Sequence, residues 1–297
     1  MTENPEVQMF GQVTAGEETW SESAMVLYFD TALQNGFSLR ISRYPDRNAT
    51  WVWCHVLQDG ALYSYTNAAI PCTTARIEPH SASAIYGAPG LQVHITRRGS
   101  SADLEGFAFA ATLRARRGAG GEDGDGDVPV ALAGSFRPGP LRPGSPAGRF
   151  ERTGEIEAII DTDVPRGAIS GIGKAHEQTQ TAPRFTVPFT YAMLWGPSAA
   201  MVALSANGRG RGICDVAGAE QQITEFAVAP WSEQRRFAAT LADGRKLDGV
   251  ARTVHHYRVP VFGQQWQGHV VAAEIGGERL VGMINDWRPE KQIYRLN

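Results

Sequence analysis

Residues 37–65 read FSLRISRYPDRNATWVWCHVLQDGALYSY and predict three consecutive β-strands. Phe37–Tyr44 alternates apolar and polar residues, the period of a strand with one buried face. Trp51–Leu57 is apolar on both faces, so we expect it to be covered on both sides or to line a cavity on one of them. Asp59-Gly60 then predicts a hairpin turn before a third strand, Ala61–Tyr65.

Strand signals of the same kind continue along the chain. The 33 glycines and 17 prolines stand beside 7 Trp, 8 Tyr and 12 Phe, a composition typical of short strands joined by tight turns. No long amphipathic helix is apparent, so the sequence predicts an all-β sandwich or barrel. The further predicted strands are Leu91–Thr96, Leu104–Leu113, Glu155–Ile160, Phe185–Trp195, Ala199–Ser205, Ile223–Val228, Arg236–Leu241, Leu247–Tyr257, Gln267–Ile275 and Leu280–Ile284.

The middle of the chain differs in composition from both halves. Residues 117–148 are rich in glycine, proline and acidic residues and too poor in apolar residues to form a core. We interpret this segment as a flexible connector or a lid. The chain then divides into an N-terminal β-domain at residues 1–116 and a C-terminal β-domain at residues 149–297.

Composition and charge exclude several classes of function. The net charge of −3, from 28 basic and 31 acidic residues among 297, does not favour nucleic-acid binding. No apolar run is long enough to span a membrane, and the first residues do not resemble a secretory leader. Cys54, Cys72 and Cys214 form no metal-ligand pattern, which favours reduced thiols in a cytoplasmic protein. We expect no metal and no cofactor, because nucleotide-binding and zinc-hydrolase motifs are also absent.

One short segment concentrates groups that can carry protons. Gly171–Gln178 reads GIGKAHEQ and places Lys174, His176 and Glu177 within four residues. Histidine titrates near neutral pH, and a neighbouring charge tunes it for general acid–base catalysis. If the segment is a straight strand, Lys174 and His176 share one face and Glu177 lies on the other. The alternative interpretation is a polar loop between two strands.

Aromatic residues supply the candidate binding site. Large aromatic side chains usually fill cores, but they also form apolar pockets that orient a ligand through a polar group. Trp53 and His55 share one face of a predicted strand and are the pair that we place in such a pocket. The other candidates are Tyr191 and Trp195 on a later strand, and Trp20 and Glu22 near the N-terminus.

These segments together resemble a known family. ETWSES at residues 18–23, GFSLRISRYPDRNATWVW at 36–53, LQDGALYSYTN at 57–67 and FERTGEIEAII at 150–160 are similar to segments of the carotenoid hydratase-like proteins. That family comprises relatives of hydroxyneurosporene synthase and of the AttH type. The resemblance implies two lipocalin-like antiparallel β-barrel domains packed together, with an apolar cavity in or between them.

The resemblance also suggests a location for the chemistry. In the hydratase branch, a patch with an acid, a histidine and a tryptophan follows a Gly-x-Gly turn. By position, His176 falls where the family has its acid and Glu177 where it has its histidine, while Thr179 replaces the tryptophan. The resemblance therefore carries over the location of the pocket but not the identity of the substrate.

The function implied is a cofactor-independent lyase or isomerase. It would hydrate, dehydrate or isomerise a small hydrophobic substrate of isoprenoid or polyketide type by acid–base catalysis, as a monomer or a homodimer. Two alternatives stay open: a pericyclase that folds a polyene without proton transfer, and a non-catalytic protein that binds an apolar molecule.

Overall fold

The computed structural model describes residues 20–288, except residues 74, 79, 101, 140–148, 182–183, 186, 207–208, 217–218 and 262–263. The secondary structure of the described part is almost entirely β-strand, apart from a 3-10 turn at Pro45–Arg47. This confirms the all-β prediction. No helix in these ranges has the length and apolar character that crossing a bilayer requires.

Ten strands form the first sheet. Their spatial order is β4-β3-β2-β1-β10-β9-β8-β7-β6-β5, and a short pairing of β4 with β7 brings eight of them into a ring from which β6 and β5 extend. The strands are β1 Ser21–Phe29, β2 Gly36–Tyr44, β3 Ala49–Gln58, β4 Ala61–Ile70, β5 Ser83–Gly87, β6 Gln92–Arg98, β7 Gly106–Arg117, β8 Val128–Pro138, β9 Arg149–Asp161 and β10 Gly167–Gln180.

Eight further strands close into the barrel. Each pairs antiparallel with its neighbour in sequence, and β11 pairs with β18 to close the ring. The strands are β11 Phe189–Trp195, β12 Ala199–Ala206, β13 Arg209–Val216, β14 Ala219–Val228, β15 Gln234–Leu241, β16 Lys246–Val261, β17 Gln264–Ile275 and β18 Glu278–Trp287.

The hairpin predicted from residues 37–65 is present. β2, β3 and β4 are neighbours in the first sheet, and Asp59 and Gly60 both have positive φ, 48° and 74°. Two successive residues with positive φ are what a type I′ turn requires, and Asp-Gly is a favoured pair for it.

The middle segment differs from the predicted connector. Within it, β8 pairs with both β7 and β9, and the stretch before β8 is hydrogen-bonded to β4 through Gly118 and Gly124. β9 and β10, which the sequence assigns to the C-terminal half, lie in the first sheet. The change from one sheet to the other therefore falls between Gln180 and Phe189. Residues 140–148 of the predicted connector and the N-terminal residues 1–19 lie outside the described ranges.

Three apolar clusters divide the buried residues. One lies inside the first sheet and includes Val52, Cys54 and Val56, and another lies inside the barrel. The third cluster, here called the apolar layer, lies between the first sheet and the barrel and contains Trp51 and Trp53. β3 is thus covered on both faces, as its sequence predicts. This strand carries side chains into the interior on one face and into the junction of the two units on the other.

Candidate functional site

Aromatic rings dominate the apolar layer. Trp53 from β3 meets Trp266 from β17, with ring centroids 5.4 Å apart, so rings of the two units are in direct contact. Phe185, which precedes β11, lies within 6.3 Å of the rings of Trp51, Trp53 and Trp266. Offset and edge-on aromatic pairs at these distances add to the free energy gained by burial.

A small cavity, here called the interface pocket, lies within this layer. Its free volume is about 10 Å³, roughly the space of one water molecule. A larger ligand therefore requires side chains of the wall to move. The pocket is lined by Met25, Ser38, Arg40, Trp53, His55, Tyr191, Met193, Tyr257, Trp266 and Asn285.

Polar groups lie among these apolar walls. The hydroxyl of Tyr257 donates a hydrogen bond of 2.8 Å to Oδ1 of Asn285, and the guanidinium carbon of Arg40 lies 5.1 Å from the ring centroid of Trp53. Burial raises the pKa of Tyr257 above its ordinary value and lowers the pKa of His55 to about 3. An apolar pocket with a few convergent polar groups is the usual form of a small-molecule site.

A group of buried charged residues, here called the interface cluster, adjoins the pocket. Nζ of Lys174 lies 2.6 Å from Oε2 of Glu151, and Nδ1 of His176 lies 3.9 Å from Oε1 of the same carboxylate. The hydroxyl of Tyr191 donates to Oε1 of Glu151. Because Tyr191 also lines the interface pocket, this residue connects the charged groups with the pocket.

The pairing of strands explains how the cluster forms. β9 and β10 are antiparallel neighbours, and His176 pairs directly with Glu151 in the register. On its other side β10 pairs with β1, where His176 is opposite Met25 of the pocket wall. Lys174 and His176 are two residues apart on a strand, so they share a face. Strand pairing thus places both residues and Glu151 beside the pocket.

Glu177 lies on the opposite face of β10. Its carboxylate accepts a hydrogen bond from Tyr86 and lies 3.0 Å from Nε of Arg97, inside the first sheet. The predicted proton pair of His176 and Glu177 therefore does not meet in one site, because adjacent residues of a strand point to opposite faces. Glu151, which the sequence analysis did not single out, is the carboxylate that lies near His176.

Trp20 and Glu22 also lie away from the interface pocket. Glu22 is fully buried and accepts hydrogen bonds from Nε1 of Trp20 and the backbone N–H of Ile77, both 2.8 Å long, and from Arg43. Burial raises the pKa of Glu22, and these hydrogen bonds partly oppose the shift. The two residues belong to a hydrogen-bonded group at one end of the first sheet.

Some of the predicted binding residues line the interface pocket, and one is buried elsewhere in the apolar layer. Trp53, His55 and Tyr191 line the interface pocket. Trp195 is buried in the apolar layer and stacks on Phe29 at 6.2 Å, but it does not line the pocket.

The sequence analysis did not single out Glu151, Arg40, Tyr257 and Asn285, which supply charged or hydrogen-bonding groups to the site. Alternation predicts one buried face for β2 and places Arg40 with Ser38 and Ser42 on the other, whereas the structure buries both faces of the strand. The other three depend on pairings between distant strands, which spacing along the chain does not reveal.

A second, larger cleft lies elsewhere on the surface. It has a volume of about 510 Å³ and is open to solvent between β8, β9 and the turn from β11 to β12. Its wall includes the exposed ion pair of Arg137 and Glu155. Exposed ion pairs are weak and highly hydrated, so the buried groups at the interface pocket are better placed for catalysis. Within the described ranges, no three His, Cys, Asp or Glu side chains are grouped to hold a metal ion.

Comparisons with known proteins show similarity of fold. The chain matches no family model, and no curated protein matches it in sequence. It is similar to the structure of CghA with Sch210972, at 11% identity and a TM-score of 0.58, covering 91% of this chain and 88% of that chain. A second structure of CghA has 10% identity, a TM-score of 0.54 and the same coverage.

Kievitone hydratase from Nectria haematococca is a further structural neighbour. Its identity is 9% and its TM-score 0.52, covering 93% of this chain and 90% of that chain. These similarities extend over both the first sheet and the barrel and confirm the predicted lipocalin-like fold.

Proposed function

We propose that this protein is a lyase or isomerase that moves a proton at a carbon–carbon double bond of a small hydrophobic molecule. The reaction is a hydration, a dehydration or a double-bond isomerisation, on a substrate of isoprenoid or polyketide type. The observation that carries the proposal is the interface cluster, a buried Lys–Glu–His–Tyr group adjoining an aromatic pocket. The name of the structural neighbour kievitone hydratase supports the same class of reaction.

The geometry suggests a role for each group. Tyr191 is the member of the cluster that reaches the pocket wall, so its hydroxyl oxygen exchanges a proton with the substrate. Glu151 accepts the hydroxyl proton of Tyr191 when that oxygen takes a proton from the substrate, and returns it when the substrate is protonated. Lys174 stabilises the carboxylate of Glu151, since a buried charge requires a partner. His176 lies beside the same carboxylate and orients it.

The pocket supplies the remaining requirements of such a reaction. Trp53 and Trp266 exclude water and present π faces to positive charge that develops on the substrate. Proton transfer by a positioned side chain contributes about 10²–10⁴-fold to the rate. Removing the proton-transferring groups should therefore cost a factor of this size.

Turnover of a substrate panel tests the proposal. Purified protein is incubated with isoprenoid alkenes and alcohols and with polyketide-type enones in deuterated water, and products are separated by liquid chromatography and mass spectrometry. We expect gain or loss of water, or deuterium at carbon. Tyr191→Phe and Glu151→Gln, which remove the proton-transferring groups, should each lower kcat by about 10²–10⁴-fold. His176→Phe and Lys174→Met should lower kcat by displacing the Glu151 carboxylate.

Two other carboxyl groups serve as comparisons. Glu157 lies on β9 with Glu151 but is exposed, so Glu157→Gln should leave kcat unchanged. Loss of turnover in Glu177→Gln but not in Glu151→Gln would show that the wrong carboxylate has been assigned. Turnover that survives in all four cluster variants would favour a pericyclase, and binding without turnover would favour a carrier.

A further inference from the structure

One ring nitrogen of His55 is committed to the protein. His55 on β3 pairs with Ser64 on β4 in the register, and Nδ1 of His55 lies 3.1 Å from Oγ of Ser64. The Ser64 hydroxyl donates its own proton to the backbone oxygen of Gly118 at 2.8 Å. A hydroxyl has one proton to donate, so Oγ of Ser64 accepts from His55. The proton of the neutral ring is therefore on Nδ1.

The other ring nitrogen is buried and lacks a partner. His55 is 3% exposed, and no hydrogen-bond partner of its Nε2 is found in the described part of the chain. The ring lines the interface pocket and packs against the ring of Tyr257, with centroids 4.0 Å apart and planes tilted by 38°. With the proton on Nδ1, Nε2 carries a lone pair and can only accept a hydrogen bond.

We propose that the interface pocket selects apolar molecules that carry a hydroxyl group, an alcohol or a phenol, which donates a hydrogen bond to Nε2 of His55. This inference rests on the proposed function for the location of the substrate. A buried acceptor left unpaired costs free energy, so a site of this kind rejects ligands that lack the matching donor. The apolar remainder of the ligand contacts Met25, Trp53 and Trp266, whose side chains move apart to admit it because the pocket otherwise has room for about one water molecule.

The charge state of the ring favours a neutral donor over an anion. Burial lowers the pKa of His55 to about 3, so the imidazole is uncharged at neutral pH. An uncharged acceptor offers nothing to a carboxylate, whereas an alcohol or phenol satisfies it. His55 is accordingly a specificity-determining residue.

The tautomer of His55 can be measured without any ligand. Long-range ¹H–¹⁵N NMR spectra of the labelled protein distinguish the two neutral tautomers, and His55→Phe identifies the signals of this ring. We expect the proton on Nδ1 in the wild-type protein. Ser64→Ala removes the acceptor and should allow a mixture of tautomers. A proton on Nε2 in the wild-type protein would overturn the inference.

Two probes that differ in one donor test the selectivity. We expect 2-naphthol to bind about tenfold more tightly than 2-methoxynaphthalene, which corresponds to about 1.4 kcal/mol, and to shift the Nε2 resonance of His55. His55→Phe should abolish this preference, while His94→Phe, at an exposed histidine on β6, should preserve it. Equal affinities in the wild-type protein, an unchanged preference in His55→Phe, or no binding of either compound would each refute the proposal.

The reaction and the selectivity can fail separately. A preference for 2-naphthol together with no loss of turnover in Glu151→Gln supports the hydroxyl site and refutes the assigned chemistry. If turnover depends on Glu151 but 2-naphthol is not preferred, the assigned chemistry is supported and the hydroxyl site is refuted.

Discussion

His55 and His269 are buried histidines whose neutral form is favoured by burial. His55 lies in the interface pocket, and His269 lies in the barrel, 3.6 Å from the carboxylate of Asp286. Desolvation lowers both pKa values from 6.5 to about 3. In the unfolded chain each ring binds a proton near its ordinary pKa, whereas the folded ring stays neutral until about pH 3. Between about pH 6.5 and pH 3 the unfolded chain therefore binds more protons than the folded protein, so the free energy of unfolding falls as the pH decreases through this range.

This linkage gives a prediction for single variants. His55→Phe should reduce the slope of unfolding free energy against pH by up to about 1.4 kcal/mol per pH unit between pH 4 and 6, the value of one proton. Urea unfolding at a series of pH values measures the slope. His94→Phe, at an exposed site, should leave it unchanged. An identical slope in His55→Phe and wild type would contradict a folded pKa near 3.

Individual site residues were predictable where alternation alone decides their direction. Trp53 and His55 share a face of a strand that is apolar on both sides, so a pocket on one side could be inferred. Lys174 and His176 were assigned to one face by the same rule, and Glu177 to the other. The partner carboxylate was not predictable, because Glu151 reaches His176 through the pairing of β9 with β10, which local sequence does not specify.

At the scale of elements, two glycines on neighbouring barrel strands make room for cross-strand aromatic rings. Gly268 on β17 pairs with Tyr257 on β16, and a Cβ added to it would lie 1.9 Å from the Tyr257 ring. Gly249 on β16 pairs with Phe237 on β15 in the same way, and a Cβ added to Gly249 would lie 2.2 Å from the Phe237 ring. The two sites are alike in geometry but differ in location, because Tyr257 lines the interface pocket and Phe237 lies inside the barrel.

These glycines form a matched pair of variants. Gly268→Ala and Gly249→Ala should each destabilise the protein by about 1–3 kcal/mol, since overpacking forces the ring to shift. Only Gly268→Ala should also weaken the binding of 2-naphthol, because the ring of Tyr257 packs against His55. Urea unfolding and fluorescence titration measure the two effects. Equal effects of both variants on binding would show that the Tyr257 ring does not shape the pocket.

The elements differ in how well their sequences predict them. β2, β3 and β4 have clear alternation and a strong turn signal, and they form as expected. β8 was hidden in a Gly- and Pro-rich segment, because its local composition does not reveal that β7 and β9 cover it. β10 was ambiguous between strand and loop, since its sequence places charged residues where β-strands usually bury apolar ones. Their burial depends on partners from β1, β9 and the barrel.

At the scale of the whole molecule, the apolar layer joins the first sheet to the barrel. Its buried members include Leu27, Phe29 and Trp53 from one unit and Met193, Val259 and Trp266 from the other. Neither unit can lose its partner without exposing this surface to water, which costs about 25 cal/mol for each Å² of apolar area. The groups to which we assign proton transfer and ligand binding lie in or beside the same layer, so the proposed site requires both units to be folded and in contact.

We therefore expect the two units to unfold in one transition, although chains of this size often unfold in steps. Tryptophan fluorescence reports mainly on the layer, where Trp51, Trp53 and Trp266 lie, and far-UV circular dichroism reports on all strands. The two signals should coincide in urea.

Trp266→Ala should shift both midpoints together and lower the free energy of unfolding by about 3–5 kcal/mol. Ile85→Ser, at a 65% exposed position on β5, should change stability by less than about 0.5 kcal/mol. A circular-dichroism transition that stays in place while the fluorescence transition moves would show that the units are stable independently, and that the layer is a docking surface between two autonomous folds.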